Sequence, residues 1–147
     1  MVASDKAILL VEDNRQDELL ALRSLRKGNV VNRIDVVRDG QQALDYLFAE
    51  GEFSGRDATD VPVVVILDIN LPRVNGLDVL AKLRADSRTR VLPVVMLTSS
   101  DEERDRHRSY QDGCNSFVRK PVDFKEFAEA VARIGVYWCA TNISPQA

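Results

Sequence analysis

The sequence lacks the features that mark a membrane-bound, secreted or nucleic-acid-binding chain. No apolar run approaches the ~18 residues that a spanning helix needs. The first ten residues, MVASDKAILL, set an acid ahead of a short apolar run, without the basic flank and long apolar core of a secretion signal. Only two cysteines are present, Cys114 and Cys139, in different segments and without metal-ligand spacing. They read as reduced intracellular thiols rather than a disulfide frame. Neither sign of charge dominates: 20 Lys and Arg against 23 Asp and Glu leave −3, too small a field to hold nucleic acid or an anionic membrane. The single histidine, His107, lies in a polar stretch and reads as a solvated side chain, and no P-loop or Gly-x-Gly-x-x-Gly run is present. The expectation is a soluble cytoplasmic protein that binds neither nucleic acid nor membrane.

What is there suffices for one ordinary domain. The chain has 147 residues, 45% of them apolar, with 7 Gly and 5 Pro, and domains usually run ~100 to 200 residues. Apolar runs alternate with amphipathic stretches five times, the pattern of repeated βα units around a parallel sheet. Strands are expected at Ala7 to Val11, Arg33 to Arg38, Val63 to Asp68, Pro93 to Thr98 and Asn115 to Val118. The first, third and fourth are apolar without alternation, as strands covered on both faces must be. The second carries Asp35 and the fifth is short, so both suit the edges. The predicted fold is therefore α/β, a flavodoxin-like (βα)5 doubly wound parallel sheet with strand order 2-1-3-4-5.

Helix boundaries are also readable. Asn14 caps a first helix with Leu19, Leu22 and Leu25 inward and Gly28 as its end. Asp39 opens a second with Ala43, Leu44, Leu47 and Phe48, stopped by Gly51, and Asn75 a third with Leu77, Leu80 and Leu83. Ser99 and Ser100, followed by Glu102 and Glu103, predict capping boxes for a fourth helix. That helix has no aliphatic residue between Asp101 and Asp112 and should be weakly anchored. A fifth starts near Asp123 with Phe124, Phe127, Val131, Ile134 and Trp138 along one stripe. Residues 51–62 form a polar connector longer than usual.

In an open parallel sheet, ligands bind beyond the carboxyl ends of the strands, where the strand order reverses. Glu12 and Asp13 follow the first strand, Asp68 ends the third, Thr98 ends the fourth and Lys120 follows the fifth. Three clustered carboxylates repel and shift toward protonation unless a cation neutralises them. An all-oxygen set with few protein ligands suits Mg2+, which keeps several waters and shares its shell with phosphate. Phosphoryl chemistry is the prediction. Asp68 would be a carboxylate nucleophile forming an aspartyl-phosphate, with Lys120 and the metal neutralising charge on the transferred group. Thr98 would bond a phosphoryl oxygen afterwards. Each residue alone has a plainer reading, since acids after strands cap helices, Thr is common in strands and Lys is usually solvated. At four strand ends together, coincidence is improbable.

The strings LLVEDN at 9–14, ILDINLP at 66–72, MLTSS at 96–100 and FVRKP at 117–121 resemble the receiver domain of two-component response regulators, over residues 5–137. The resemblance implies Asp68 as phosphoacceptor, Asp13 as a direct magnesium ligand, Glu12 acting through water, and the Asn70 backbone carbonyl as a further ligand. It implies Thr98 as switch hydroxyl, Lys120 as the family lysine and Phe117 as the aromatic switch. It also implies output through the face of helix four, strand five and helix five. The Lys120-Pro121 peptide matches one that is cis in receivers; the sequence alone leaves cis and trans open. Such a protein is a phosphoacceptor switch rather than a turnover enzyme, and its phosphoryl group comes from a partner histidine kinase. The long connector, the RSY run at 108–110 and the Trp-bearing end of helix five resemble stand-alone regulators of bacterial phytochrome histidine kinases. On that reading, residues 138–147 are a C-terminal extension and no output domain follows. Tyr137, Trp138 and Ile143 are then expected in a homodimer contact. Two alternatives are a phosphate sink for the kinase and a Mg-dependent phosphohydrolase of haloacid-dehalogenase type. The second would need an acid at position 70, which is Asn.

Overall fold

Backbone polar groups on a strand buried from both sides must pair within the sheet, so the unbroken apolar runs are expected to lie side by side at its centre. A computed structural model, describing residues 6–100 and 102–145, has this arrangement. Five parallel strands, β1 (Ile8–Val11), β2 (Ile34–Val37), β3 (Val64–Leu67), β4 (Val94–Thr98) and β5 (Ser116–Arg119), lie in the order β2-β1-β3-β4-β5. The helices between and after them are α1 (Arg15–Lys27), α2 (Gly40–Phe48), α3 (Gly76–Ala85), α4 (Glu103–Gln111) and α5 (Phe124–Val136). A 3-10 turn follows α2 at Gly51–Phe53, and a π-helical turn extends α5 at Tyr137–Thr141. No described helix is long and apolar enough to cross a membrane.

The two faces of the sheet use alternate residues, because side chains along a strand point to opposite sides. Ile8, Leu10, Val64, Ile66, Val95 and Leu97 pack under α1 and α5. Leu9, Val11, Val65, Leu67, Val94 and Met96 pack under α2 and α3. Most of these side chains are fully buried, and each large one contributes about 1.5 to 3 kcal/mol relative to exposure.

Several expected details differ, each for a local reason. The inward face of α1 carries Glu18, Ala21 and Leu25, while Leu19 is 45% exposed. Buried Glu18 is tolerated because Arg15 and Arg38 each approach it at 3.0 Å. Helix α2 ends at Phe48 with Ala49 rather than Gly51 as its C-cap, in the left-handed region at φ 53°, and Gly51 follows at φ 54°. The capping boxes of α4 do not form: its cap is Glu102, with no side-chain bond, and the Ser100 hydroxyl donates to Asp105 at 2.7 Å. Ser109 is the buried residue of α4, and Arg108 ties the helix to Asp78 of α3 at 2.9 Å. Phe124, at the first position of α5, is 72% exposed. Trp138 is buried by its own chain, four residues after Ile134 on the same inward face, whereas Tyr137 and Ile143 are exposed. The described peptide bonds include no cis bond, so Lys120-Pro121 is trans.

Candidate functional site

Parallel pairing brings the ends of the strands to one edge, and backbone bonds place the polar residues there. Glu12 N–H donates to Val37 O at 3.1 Å, Asp68 N–H to Val11 O at 3.3 Å, and Lys120 N–H to Thr98 O at 2.7 Å. Carboxylate oxygens of Glu12, Asp13 and Asp68 thereby all lie within 4.8 Å of one another, with Asp13 exposed and the other two buried. The Lys120 ammonium reaches into the cluster, donating to Glu12 Oε1 at 2.6 Å and to Asp68 Oδ2 at 2.9 Å. Asp68 Oδ1 accepts from the backbone N–H of Asn70 at 3.3 Å.

Thr98 is fully buried at the end of β4, and its hydroxyl oxygen accepts from Ser100 N–H at 3.2 Å. Phe117 stands next to Met96 across the β4–β5 pair and is partly buried against the core on the α2 and α3 side. With Ser100, Glu102, Arg106 and Arg119 it lines a cavity of about 240 Å³. Glu12, Asp13, Asp68 and Lys120 thus form one cluster, with Asn70 and Thr98 beside it and Phe117 lining a separate cavity.

The cluster is electrostatically unbalanced. Burial pushes the Glu12 carboxyl up to about 7, against the opposing pull of Lys120, and the Asp68 charge adds to the rise. Burial alone would lower the Lys120 ammonium, but the charges and hydrogen bonds of Asp68 and Glu12 outweigh it and the net shift is upward. Lys120 therefore stays protonated while the acids retain surplus negative charge. A hard divalent cation fits that surplus and the all-oxygen donor set.

Two features of the site escaped the sequence. Asp17, in the first turn of α1, accepts a third bond from Lys120 at 3.0 Å. An acid there reads from sequence simply as a favourable helix N-terminal charge. Gly76 opens α3 against the phosphoacceptor candidate, donating to Ile69 O at 2.8 Å. A Cβ at position 76 would press on the Asp68 carbonyl, well inside the 3.0 Å that real Cβ atoms respect. In the sequence Asn75 read only as a helix start, and Gly76 carried no signal of its own.

Known proteins share this arrangement. Residues 8–132 match the profile described as the response regulator receiver domain. The probable methanogenesis regulatory protein FilR2 of Methanothrix harundinacea is 40% identical over 138 residues, covering 94% of this chain and 86% of its own. Response regulator Rcp1 of Synechocystis is 32% identical over 142 residues, covering 97% and 95%. The crystal structure of its Mn(2+)-bound form superposes with a TM-score of 0.89 over 95% of this chain and 99% of that one. The bacteriophytochrome response regulator RtBRR is 48% identical, with a TM-score of 0.77, over 97% of this chain and 86% of its own. The strand order, the acids and lysine gathered at the carboxyl edge, and the match over residues 8–132 together establish that the chain belongs to the response regulator receiver domain family.

Proposed function

We propose that Asp68 is the phosphoacceptor of a magnesium-dependent switch that takes its phosphoryl group from a histidine kinase in the cytoplasm. The observation that carries this reading is the Lys120 ammonium held 2.9 Å from Asp68 beside the carboxylates of Glu12 and Asp13. Receiver domains accept phosphate from histidine kinases and bind divalent metal. An Asp68 oxygen attacks phosphorus, the bond from phosphorus to the histidine nitrogen breaks, and its electron pair returns to the imidazole. Lys120 stays beside the reacting oxygen and offsets charge on the transferred group. Thr98 then bonds a phosphoryl oxygen, and Phe117 relays the change to the face of α4, β5 and α5. Glu12, Asp13, Asp68 and the Asn70 carbonyl would hold Mg2+, which supplies charge neutralisation for phosphoryl transfer. The phosphohydrolase alternative finds no support in the family match.

Likeness to RtBRR supports a bacterial phytochrome as the kinase. Exposed Tyr137 and Ile143 after α5 support a homodimer contact; a monomer in sedimentation equilibrium would remove that part.

The test is chemical. With acetyl phosphate and Mg2+ the protein should take up one phosphate per chain that resists acid and yields to hydroxylamine, and borohydride reduction should convert Asp68 to homoserine. Reduction at another residue, or no uptake, overturns the assignment. Magnesium binding should also depend on pH. The Glu12 acid in the metal-free fold is raised to about 7 from 4.5, so below 7 a proton occupies the carboxylate and opposes the metal. Affinity in calorimetric titrations should rise about fivefold from pH 6 to 7, as one proton is displaced from a group titrating near 7, and level off near 8. A flat profile would contradict it.

A further inference from the structure

Lysine has three N–H donors and no acceptor, so an ammonium held in one position must be satisfied in three directions. Lys120 has three carboxylate partners: Glu12 at 2.6 Å, Asp68 at 2.9 Å and Asp17 at 3.0 Å. Two of these have competing duties. Glu12 and Asp68 belong to the set of acids that would hold a divalent ion, and Asp68 is also the group to be phosphorylated. Asp17 is outside that set, which among the described residues comprises Glu12, Asp13 and Asp68. Its bond to Lys120 is the one of the three that neither metal binding nor phosphorylation must rearrange.

The placement of Asp17 is built into the start of α1. Asn14 caps the helix by accepting from Asp17 N–H at 3.0 Å, which fixes the backbone of residue 17. The next residue, Glu18, is buried and clamped by Arg38, whose guanidinium donates to both of its carboxylate oxygens at 3.0 Å. That paired contact pins the first turn of α1 to the end of β2. Asp17 then projects toward β5, with 28% of its side chain exposed against 8% for Lys120, and covers the ammonium from the solvent side.

We propose that Asp17 is a positioning residue for phosphoryl transfer, retaining Lys120 over Asp68 while Glu12 and Asp68 exchange their own partners. The idea rests on Asp68 as phosphoacceptor, and its test separates the two. Initial rates of phosphate uptake from acetyl phosphate are measured at saturating Mg2+ for wild type, Asp17→Ala and Asp17→Asn, with Mg2+ affinity and thermal stability measured alongside. Asp17→Ala should be slowed about tenfold, the consequence of losing roughly one hydrogen bond to a charged group. Asp17→Asn, whose amide oxygen still accepts from the ammonium, should stay within about threefold of wild type by the same reasoning. Magnesium affinity should be nearly equal in the two variants. In 15N spectra the Lys120 ammonium signal, protected in wild type and Asp17→Asn, should broaden into solvent exchange in Asp17→Ala. A wild-type rate in Asp17→Ala overturns the proposal. So does equal slowing of both variants, which would leave charge or helix stability as the role. If wild type itself takes up no phosphate, the phosphoacceptor assignment fails instead.

Discussion

Asp68→Asn is expected to take up no phosphate under conditions that phosphorylate wild type fully, and to be more stable than wild type when metal is absent. The first half follows because an amide oxygen cannot form the mixed anhydride. The second follows from counting charges. In the cluster Asp68 faces two other acids within 4.8 Å and one ammonium at 2.9 Å. At pH 8, where the Glu12 carboxyl is ionised, removing its charge deletes two repulsions and one attraction. At an effective dielectric constant of 20 each repulsion at such separations is worth about 3.5 to 4 kcal/mol and the attraction at 2.9 Å about 6 kcal/mol. Partial cancellation and solvent screening leave a net gain of about 1 to 2 kcal/mol. The substitution is nearly isosteric, and the asparagine oxygen can still accept from Lys120. The Glu12 carboxyl, raised in part by the Asp68 charge, should move back down. Urea melts at pH 8 in EDTA and in excess Mg2+ check the sign: the variant should lead without metal, and wild type should gain more when metal is added. A variant that is weaker in EDTA would show that the Lys120 pairing outweighs the repulsion.

Gly76→Ala should damage the fold itself. Alanine is the better helix former by about 1 kcal/mol, so on an open helix the change would stabilise. Here the added carbon has the Asp68 carbonyl and the Ile69 Cα in its way, and both are backbone. Backbone cannot rotate aside, so either α3 lifts from the sheet or the end of β3 is displaced. Overpacking of this kind costs about 3 kcal/mol, and the small propensity gain does not offset it. For a chain of this size, a melting temperature lower by about 6 to 12 °C is expected. Because the obstructing atoms belong to Asp68 and Ile69, phosphate uptake at the proposed phosphoacceptor should also be slower at temperatures where the variant remains folded. An unchanged melting temperature would mean that the loop from β3 to α3 yields easily.

Much of the fold was legible because burial on both faces leaves a simple mark. Ile8 to Val11, Val64 to Leu67 and Val94 to Leu97 carry no polar residue, and the structure sets all three inside the sheet. The acids and the lysine were legible for a related reason: in a parallel sheet a residue just after any strand arrives at the same edge. Contacts made across long stretches of chain were not. Glu18 is inward and Leu19 outward, and the buried acid is neutralised in part by Arg38, twenty residues on. Asp17 meets Lys120 across 103 residues. Periodicity sees neither, since it weighs each residue against its neighbours alone. The same limit explains Phe124 and Trp138: both fit the α5 stripe, and where the sheet lies beneath that stripe decides which is covered.

The burial of Trp138 has an experimental consequence. It is the single tryptophan of the chain, and it sits in the apolar layer with Leu25, Val131 and Ile134. Phe117 packs into the layer on the opposite side of the sheet. Indole emission should therefore be blue-shifted in the native protein and move to the red on unfolding. It offers an intrinsic optical readout for both melting comparisons, on the side of the sheet away from Phe117.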